Sequence, residues 1–169
     1  LTADYMLGGD PISFSSEFTI EKARQTAIRS LSKHPKTVQE LRERLLRDYD
    51  KESVELLIHD LICKRILDDE AFASAWCFSR QYSHPRSSAL IRYELLAKGV
   101  DSAIALDAVA GIDDDKEARK AGMRYLKKFR TPDRVNQEGR LRSYLQRRGF
   151  DSEVIQKTLK WLTADGQSQ

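Results

Sequence analysis

The stretch RLRSYLQRRGF at 140–150 has a near copy in LIRYELLAKGV at 90–100 and a looser one in ELRERLLRDY, which begins at residue 40. Apolar residues that correspond between the copies recur at steps of 50, as Leu41, Ile91 and Leu141 and as Leu45, Leu95 and Leu145. Apolar residues four apart are typical of one face of an α-helix. The repetition therefore predicts one structural unit that occurs three times along the chain, with this motif as its middle helix.

Helix-ending and helix-starting signals surround each copy. Pro35, Pro85 and Pro132 fall between periodic segments, where a helix must end, and strand-like alternation is absent. Thr37, followed three residues later by Glu40, predicts a capping box at the start of the first middle helix. Each copy ends in an apolar or aromatic residue followed by aspartate, as Tyr49-Asp50, Val100-Asp101 and Phe150-Asp151. We therefore predict an all-α chain of three three-helix repeats, which share cores because each is short.

The predicted organisation has five parts. They are a flexible N-terminal arm at 1–20, repeat 1 at 21–65, repeat 2 at 66–112, repeat 3 at 113–162 and a disordered tail at 163–169. The inward positions of repeat 1 are expected to include Leu46 and Ile62 as well as Leu41 and Leu45. The aromatic residues are expected mainly in packing between repeats, and they are Trp76, Phe78, Tyr93, Tyr144, Phe150 and Trp161. Base stacking by Tyr93 or Tyr144 is the alternative.

Charge is distributed unevenly along the 169 residues. The formal net charge is +3, but residues 119–148 hold 11 basic side chains against only Asp133 and Glu138. A solvated face normally mixes both signs, so this segment is where we expect a polyanionic partner to bind.

No catalytic, metal or cofactor site is predicted. The acidic clusters 68–70 and 113–115 are interpreted as helix caps and first-turn residues. The three histidines lack metal-ligand spacing, and none of the eight glycines forms a phosphate-binding loop. Cys63 and Cys77 cannot build a disulfide framework and are interpreted as buried free thiols of a cytoplasmic protein. No apolar run approaches the roughly 20 residues of a membrane span.

The candidate binding residues are all basic. Arg42, Arg92 and Arg142 each follow an inward Leu or Ile by about 100° of helix rotation, which places them on a flank. Helix-dipole and i,i+4 pairing is the alternative explanation for any single one of them. The full set of predicted partner- or DNA-binding residues is Arg42, Arg92, Lys98, Lys127, Lys128, Arg130, Arg134, Arg140, Arg142, Arg147 and Arg148.

The same motifs resemble those of the RecX family, the bacterial regulators of the RecA recombinase. ILDDEAFASAWCFSR at 66–80 is similar to the family's Leu-Asp-Asp motif followed by a Phe and a helix ending in Arg. LIRYELLAKGV and LQRRGFD, at 145–151, are similar to its middle-repeat and Arg-Gly-Phe patterns. The family often has a Gly-rich linker where this chain has residues 82–86, and Pro85 would stiffen that connection.

The resemblance implies an elongated, curved tandem array of three helix-turn-helix-like repeats. It also implies a non-enzymatic, monomeric regulator that lies in the groove of the RecA–DNA filament and inhibits strand exchange, ATP hydrolysis and co-protease activity. The implied partners are the RecA filament and the single-stranded DNA within it, with weak direct DNA binding as a further option.

Two other functions fit the same sequence. One is a helix-turn-helix DNA-binding protein that acts without RecA, although the predicted recognition helices of the first two units carry few base-reading side chains. The other is an α-helical scaffold with no link to nucleic acid.

Overall fold

The computed structural model describes residues 11–129 and 134–165, with side chains for 18–129 and 137–163. In these residues the chain forms nine α-helices and no strand. The helices are α1 (Pro11–Lys33), α2 (Val38–Leu45), α3 (Lys51–Cys63), α4 (Asp69–Ser83), α5 (Ser88–Ala97), α6 (Ser102–Val109), α7 (Asp114–Lys128), α8 (Arg134–Arg147) and α9 (Ser152–Asp165). The predicted all-α tandem of three-helix repeats is confirmed.

Three hydrophobic cores group the helices in threes, and we name the groups repeat 1 (α1–α3), repeat 2 (α4–α6) and repeat 3 (α7–α9). The middle helix of each repeat supplies its core with the two apolar residues that define the sequence period. Leu41, Leu45, Ile91, Leu95, Leu141 and Leu145 are all at most 3% exposed. The chain divides into two compact units, one ending at Asp68 and the other containing repeats 2 and 3.

Aspartate caps start the third helix of every repeat. Asp50 accepts a hydrogen bond from the Ser53 amide at 2.9 Å, and Asp101 accepts one from the Ala103 amide at 2.7 Å. In repeat 3, Asp151 accepts one from the Val154 amide at 2.8 Å. These bonds satisfy amides that the first helical turn leaves without partners. The predicted capping box is also present, since Thr37 and Glu40 bond each other's backbone amides.

Glycines in the left-handed conformation end two of the middle helices. Gly99 has φ 78° and Gly149 has φ 83°. The amides of the residues that follow, Val100 and Phe150, bond the carbonyls of Leu95 and Leu145 at 3.1 and 3.3 Å. This is the Schellman ending that glycine favours after a helix.

Three predictions about repeat 1 are wrong. Leu46 is 41% exposed because α2 ends at Leu45, and Ile62 is 43% exposed because it lies about 100° around α3 from the buried Leu61. Cys63 is also exposed, with its sulfur 3.7 Å from Nδ1 of His59, whereas Cys77 is buried as predicted.

The ends of the chain differ from prediction where they are described. Helix α1 begins at Pro11, so residues 11–20 are helical instead of the aperiodic arm we expected. Proline suits the first turn of a helix, where its missing amide has no partner to lose. Helix α9 continues to Asp165, into the predicted tail. Residues 1–10 and 166–169 lie outside the described residues.

Candidate partner-binding surface

The described part of the basic segment lies on α7 from Arg119 to its end and along α8. Four of its predicted binding residues have exposed side chains, and they are Lys127, Lys128, Arg140 and Arg147. None of these four has an ion-pair partner among the described side chains. Arg134 starts α8, but its side chain is outside the description, as is the whole of Arg130. We call the four exposed residues the open cations.

A row of aromatic rings lies between Lys128, one of the open cations, and Arg148. Tyr125 contacts Phe129 and Tyr144, with ring centroids 5.0 and 4.7 Å apart. The Lys128 ammonium lies 5.3 Å from the Phe129 centroid, and the Arg148 guanidinium lies 4.8 Å from that of Tyr144. Phe129 is 47% exposed. Cations interleaved with partly exposed rings can bind phosphates or carboxylates while offering a stacking surface.

Other cations of the basic segment bind repeat 2 instead of facing a partner. The Lys120 ammonium donates to the carbonyl of Gln81 at 3.2 Å, and Arg124 donates to that of Ser83 at 3.1 Å. Arg148 donates to the carbonyl of Pro85 at 3.3 Å. These carbonyls lie at the end of α4 and just beyond it, where positive charge is stabilised by the helix dipole. Arg148, a predicted binding residue, therefore holds repeats 2 and 3 together.

An aspartate strengthens the same junction. Asp114, in the predicted acidic cap, accepts hydrogen bonds from the amide and hydroxyl of Ser88 at 2.7 and 3.1 Å. Asp113 caps α7 by accepting from the amide of Lys116 at 3.0 Å. The acidic cluster at 113–115 is thus structural, as its sequence suggested.

The three arginines at corresponding positions differ in their partners. All are half-buried on the flank of the middle helix. Arg42 forms a two-point ion pair with Glu55, at 2.8 and 3.3 Å. Arg92 has a buried Nε that makes no hydrogen bond. Arg142 reaches only Glu138, at 3.5 Å.

Lys98 borders a charged cluster in repeat 2 that sequence reasoning missed. Its ammonium lies 4.7 Å from the Trp76 ring, and the Arg80 guanidinium lies 4.0 Å from the same ring. Glu94 accepts from the Trp76 indole at 2.9 Å and from Arg80 at 2.8 Å, and it also pairs with Arg86.

Burial lowers the pKa of Arg80. Burial also lowers the pKa of Arg86, and the nearby positive charges of Arg80 and Arg148 lower it further. One carboxylate thus holds two arginines beside a tryptophan, an arrangement that fixes α4 against α5. The spacing of Trp76 and Arg80, one turn apart on a helix, was the sequence signal for it.

Exposed aromatic residues were also missed. Phe78 and Tyr93, expected in packing, are 70% and 68% exposed. Phe78 stacks on Tyr82, itself 73% exposed, with centroids 6.2 Å apart. Phe78 and Tyr82 are one turn apart and fall off the register of the buried Ala73 and Cys77, which was the available signal.

Within the described part of the chain, no three His, Cys, Asp or Glu side chains converge as a metal site would require. In that same part, no helix is long and apolar enough to cross a membrane.

Comparison with known protein families gives two matches along the chain. Residues 68–109 match the model of the second three-helix domain of RecX, and residues 113–159 match that of the third. The first range spans helices α4–α6, and the second spans α7, α8 and the first half of α9.

Curated relatives cover most of the chain. It is 32% identical over 146 residues to the regulatory protein RecX of Chlorobium limicola, covering 86% of this chain and 92% of the relative. It is likewise 32% identical over 145 residues to the regulatory protein RecX of Prosthecochloris aestuarii, covering 85% and 95%.

Two crystal structures share the fold. RecX from Lactobacillus salivarius aligns with a TM-score of 0.74 at 20% identity, covering 88% of this chain and 99% of that one. A second regulatory protein RecX aligns with a TM-score of 0.75 at 21% identity, covering 95% and 81%.

Proposed function

The chain belongs to the RecX family of regulatory proteins, and we propose that it binds the RecA–DNA filament and inhibits RecA. The inhibited activities are strand exchange, ATP hydrolysis and co-protease activity, so the protein modulates recombination and the SOS response. It acts as a monomer in the cytoplasm and without chemistry of its own. Its partners are the RecA filament and the single-stranded DNA within it.

The observation that carries this proposal is the set of open cations beside the aromatic row of repeat 3. Lys127, Lys128, Arg140 and Arg147 are exposed, and no described carboxylate neutralises them. A nucleoprotein filament presents phosphates and acidic side chains, which such a surface binds. Counterion release from phosphate contacts makes this binding weaken steeply as salt increases.

The repeated architecture supports a polymeric partner. RecA protomers recur along the filament, and the three-helix unit recurs along this chain. When one repeat is bound, the others are held near equivalent sites, so several weak contacts add up to tight binding. A protein bound across neighbouring protomers would block the second DNA strand and the closing motion at the nucleotide interface.

The test is a titration of RecA's single-stranded-DNA-dependent ATPase with the purified protein. We expect ATP hydrolysis to fall as the protein reaches stoichiometric amounts relative to RecA, and a variant with the four open cations changed to glutamate to inhibit far less. An unchanged hydrolysis rate across that range would refute the proposal. Tight duplex-DNA binding at physiological salt without RecA would instead favour a DNA-binding protein that acts alone.

A further inference from the structure

One position on the third helix carries a glutamate in repeat 1 but no acidic residue in repeats 2 and 3. The third helices align through their aspartate caps, Asp50, Asp101 and Asp151, and through the buried residues four positions later, Val54, Ala105 and Ile155. The next position in each helix is Glu55, Leu106 and Gln156. Only repeat 1 has an acidic side chain there.

In repeat 1 this acidic side chain neutralises the flank arginine. The Arg42 Nε donates to Glu55 Oε1 at 2.8 Å, and Nη2 donates to Oε2 at 3.3 Å. Both carboxylate oxygens are thus bound by one guanidinium, the geometry in which arginine recognises carboxylates most specifically. Glu55 therefore shows how a carboxylate fits beside this arginine.

In repeat 2 the corresponding arginine has lost that partner. The Arg92 Nε, the atom that in Arg42 makes the shorter bond, is buried without a hydrogen bond. The residue at the position of Glu55 is Leu106, which is 54% exposed. A buried donor without an acceptor is costly, so the half-buried Arg92 side chain gains a hydrogen bond when it turns its guanidinium toward a partner's carboxylate.

In repeat 3 the corresponding arginine faces a cavity. Arg142 and Gln156 both line an open space of about 320 Å³ between α8 and α9, together with Glu138, Leu159, Lys160 and Thr163. Lys160 adds a second positive charge. Glu138 lies 3.5 Å from Arg142, and its side chain is 53% exposed. The space accommodates an acidic side chain at the position of Glu55.

We propose that Arg92 and Arg142 are receptor sites for acidic side chains of a protein partner, and that Glu55 occupies the equivalent site in repeat 1. Taking RecA as that partner rests on the proposed function. Carboxylate is favoured over phosphate for two reasons. The site of repeat 1 holds a carboxylate, and the sites of repeats 2 and 3, which lack a residue equivalent to Glu55, have Leu106 or Glu138 at their edges. These neighbours suit a singly charged, partly apolar side chain better than a phosphate.

The sharpest test supplies the missing carboxylate from within the chain. Gln156→Glu should form the pair with Arg142 seen in repeat 1, leave thermal stability unchanged or raised, and weaken binding to the RecA–DNA filament at least fivefold. Arg142→Gln should weaken binding to a similar extent. The double variant should be no worse than either single one, because both remove the same site.

Controls separate this effect from added negative charge. Gln25→Glu makes the same chemical change on an exposed position of α1 and should leave the affinity unchanged. Leu106→Glu should weaken binding as Gln156→Glu does. Glu55→Gln should free Arg42 and leave affinity unchanged or increased. Additive losses in the double variant, or an equal loss in the control, would overturn the proposal.

A second measurement does not depend on RecA. The Nε–H signals of isotope-labelled arginines can be followed by NMR while hexaglutamate or hexathymidylate is added to the full chain. We expect hexaglutamate to shift the signals of Arg92 and Arg142 but not that of Arg42. Shifts without filament binding would refute the proposed function alone, whereas filament binding without these shifts would refute the receptor sites alone. A response to hexathymidylate only would overturn the assignment to carboxylate.

Discussion

Gly149 at the end of α8 lies so close to Ser87, the N-cap of α5, that a Cβ on Gly149 would be 2.6 Å from the Ser87 hydroxyl oxygen. The same Cβ would be 2.6 Å from Cβ of Leu90. The Ser87 amide also donates to the carbonyl of Arg148 at 3.0 Å. The Arg-Gly-Phe ending of the repeat is therefore a packing element that seats repeat 3 on repeat 2.

This contact predicts opposite effects for two glycine substitutions, one within α8 and one just beyond its end. Gly149→Ala should destabilise the unit of repeats 2 and 3 by about 2–4 kcal/mol, from left-handed strain plus overpacking. Gly139→Ala should stabilise it by about 0.5–1 kcal/mol, because an added Cβ there has no neighbour within 4 Å and helix propensity improves. Urea unfolding followed by tryptophan fluorescence reports on this unit, since both tryptophans, Trp76 and Trp161, lie in it. Equal effects of the two substitutions would contradict the packing role.

Glu94 binds Trp76, Arg80 and Arg86, and removing its charge should cost more stability than removing a charge from an ordinary surface ion pair. We call these four residues the Glu94 cluster. Glu94→Gln should destabilise repeat 2 by about 1–3 kcal/mol, because Arg80 and Arg86 would be left half-buried without a counter-charge. This destabilisation is smaller than that expected for a fully buried ion pair, because both arginine side chains keep some contact with water.

Glu138→Gln is the matched control for Glu94→Gln, since it removes an exposed carboxylate 3.5 Å from its arginine. Its effect on the same urea transition should stay within about 0.5 kcal/mol. A loss as small for Glu94→Gln as for the control would show that the cluster is not structural.

Asp60 predicts a pH dependence in repeat 1. Its pKa is lowered, first by the hydrogen bond from Lys64 and then by that from Arg24. Because the unfolded chain binds the proton more readily, the stabilisation is present above about pH 4 and is lost as pH falls below it. Asp60→Asn should therefore be less stable than the unchanged protein at pH 7, with the difference shrinking by pH 3. Circular dichroism of urea unfolding at both pH values measures this, and a difference independent of pH would contradict it.

The open cations predict salt-sensitive binding. Changing Lys127, Lys128, Arg140 and Arg147 to glutamate should weaken binding to the RecA–DNA filament at least tenfold and make its dependence on salt shallower. The control reverses four exposed cations of repeat 1 that form no ion pair among the described side chains, Arg29, Lys33, Arg47 and Lys51. Co-sedimentation with the filament at several salt concentrations measures both, and equal losses would show a general charge effect instead of a specific surface.

Much of the fold could be predicted because it depends on local signals. The spacing of Leu41, Ile91 and Leu141 identified the buried face of each middle helix, and Thr37 with Glu40 identified the capping box. The errors at Leu46 and Ile62 arose where a residue next to a buried leucine was taken as buried too. Ile62 faces away from Leu61 by about 100° of helix rotation, and Leu46 lies just past the last residue of α2.

The binding surface was less predictable because it depends on which charges meet in space. From the sequence, Arg42, Arg92 and Arg142 had the same predicted binding role. Only the packing of α3 against α2 shows that Glu55 neutralises Arg42. In the same way, the net charge of the basic segment counted Lys120, Arg124 and Arg148 equally with the open cations. Their carbonyl partners lie 39 residues away along the chain for Lys120, 41 for Arg124 and 63 for Arg148. No local sequence pattern could therefore reveal these contacts.

The most direct test of the account is an image of the protein on a RecA–single-stranded DNA filament, resolved well enough to place repeat 3. We expect α7 and α8 to face the filament, with Lys127, Lys128, Arg140 and Arg147 against acidic side chains or phosphates. An image in which these four side chains point to solvent, while another surface of the protein contacts RecA, would contradict it.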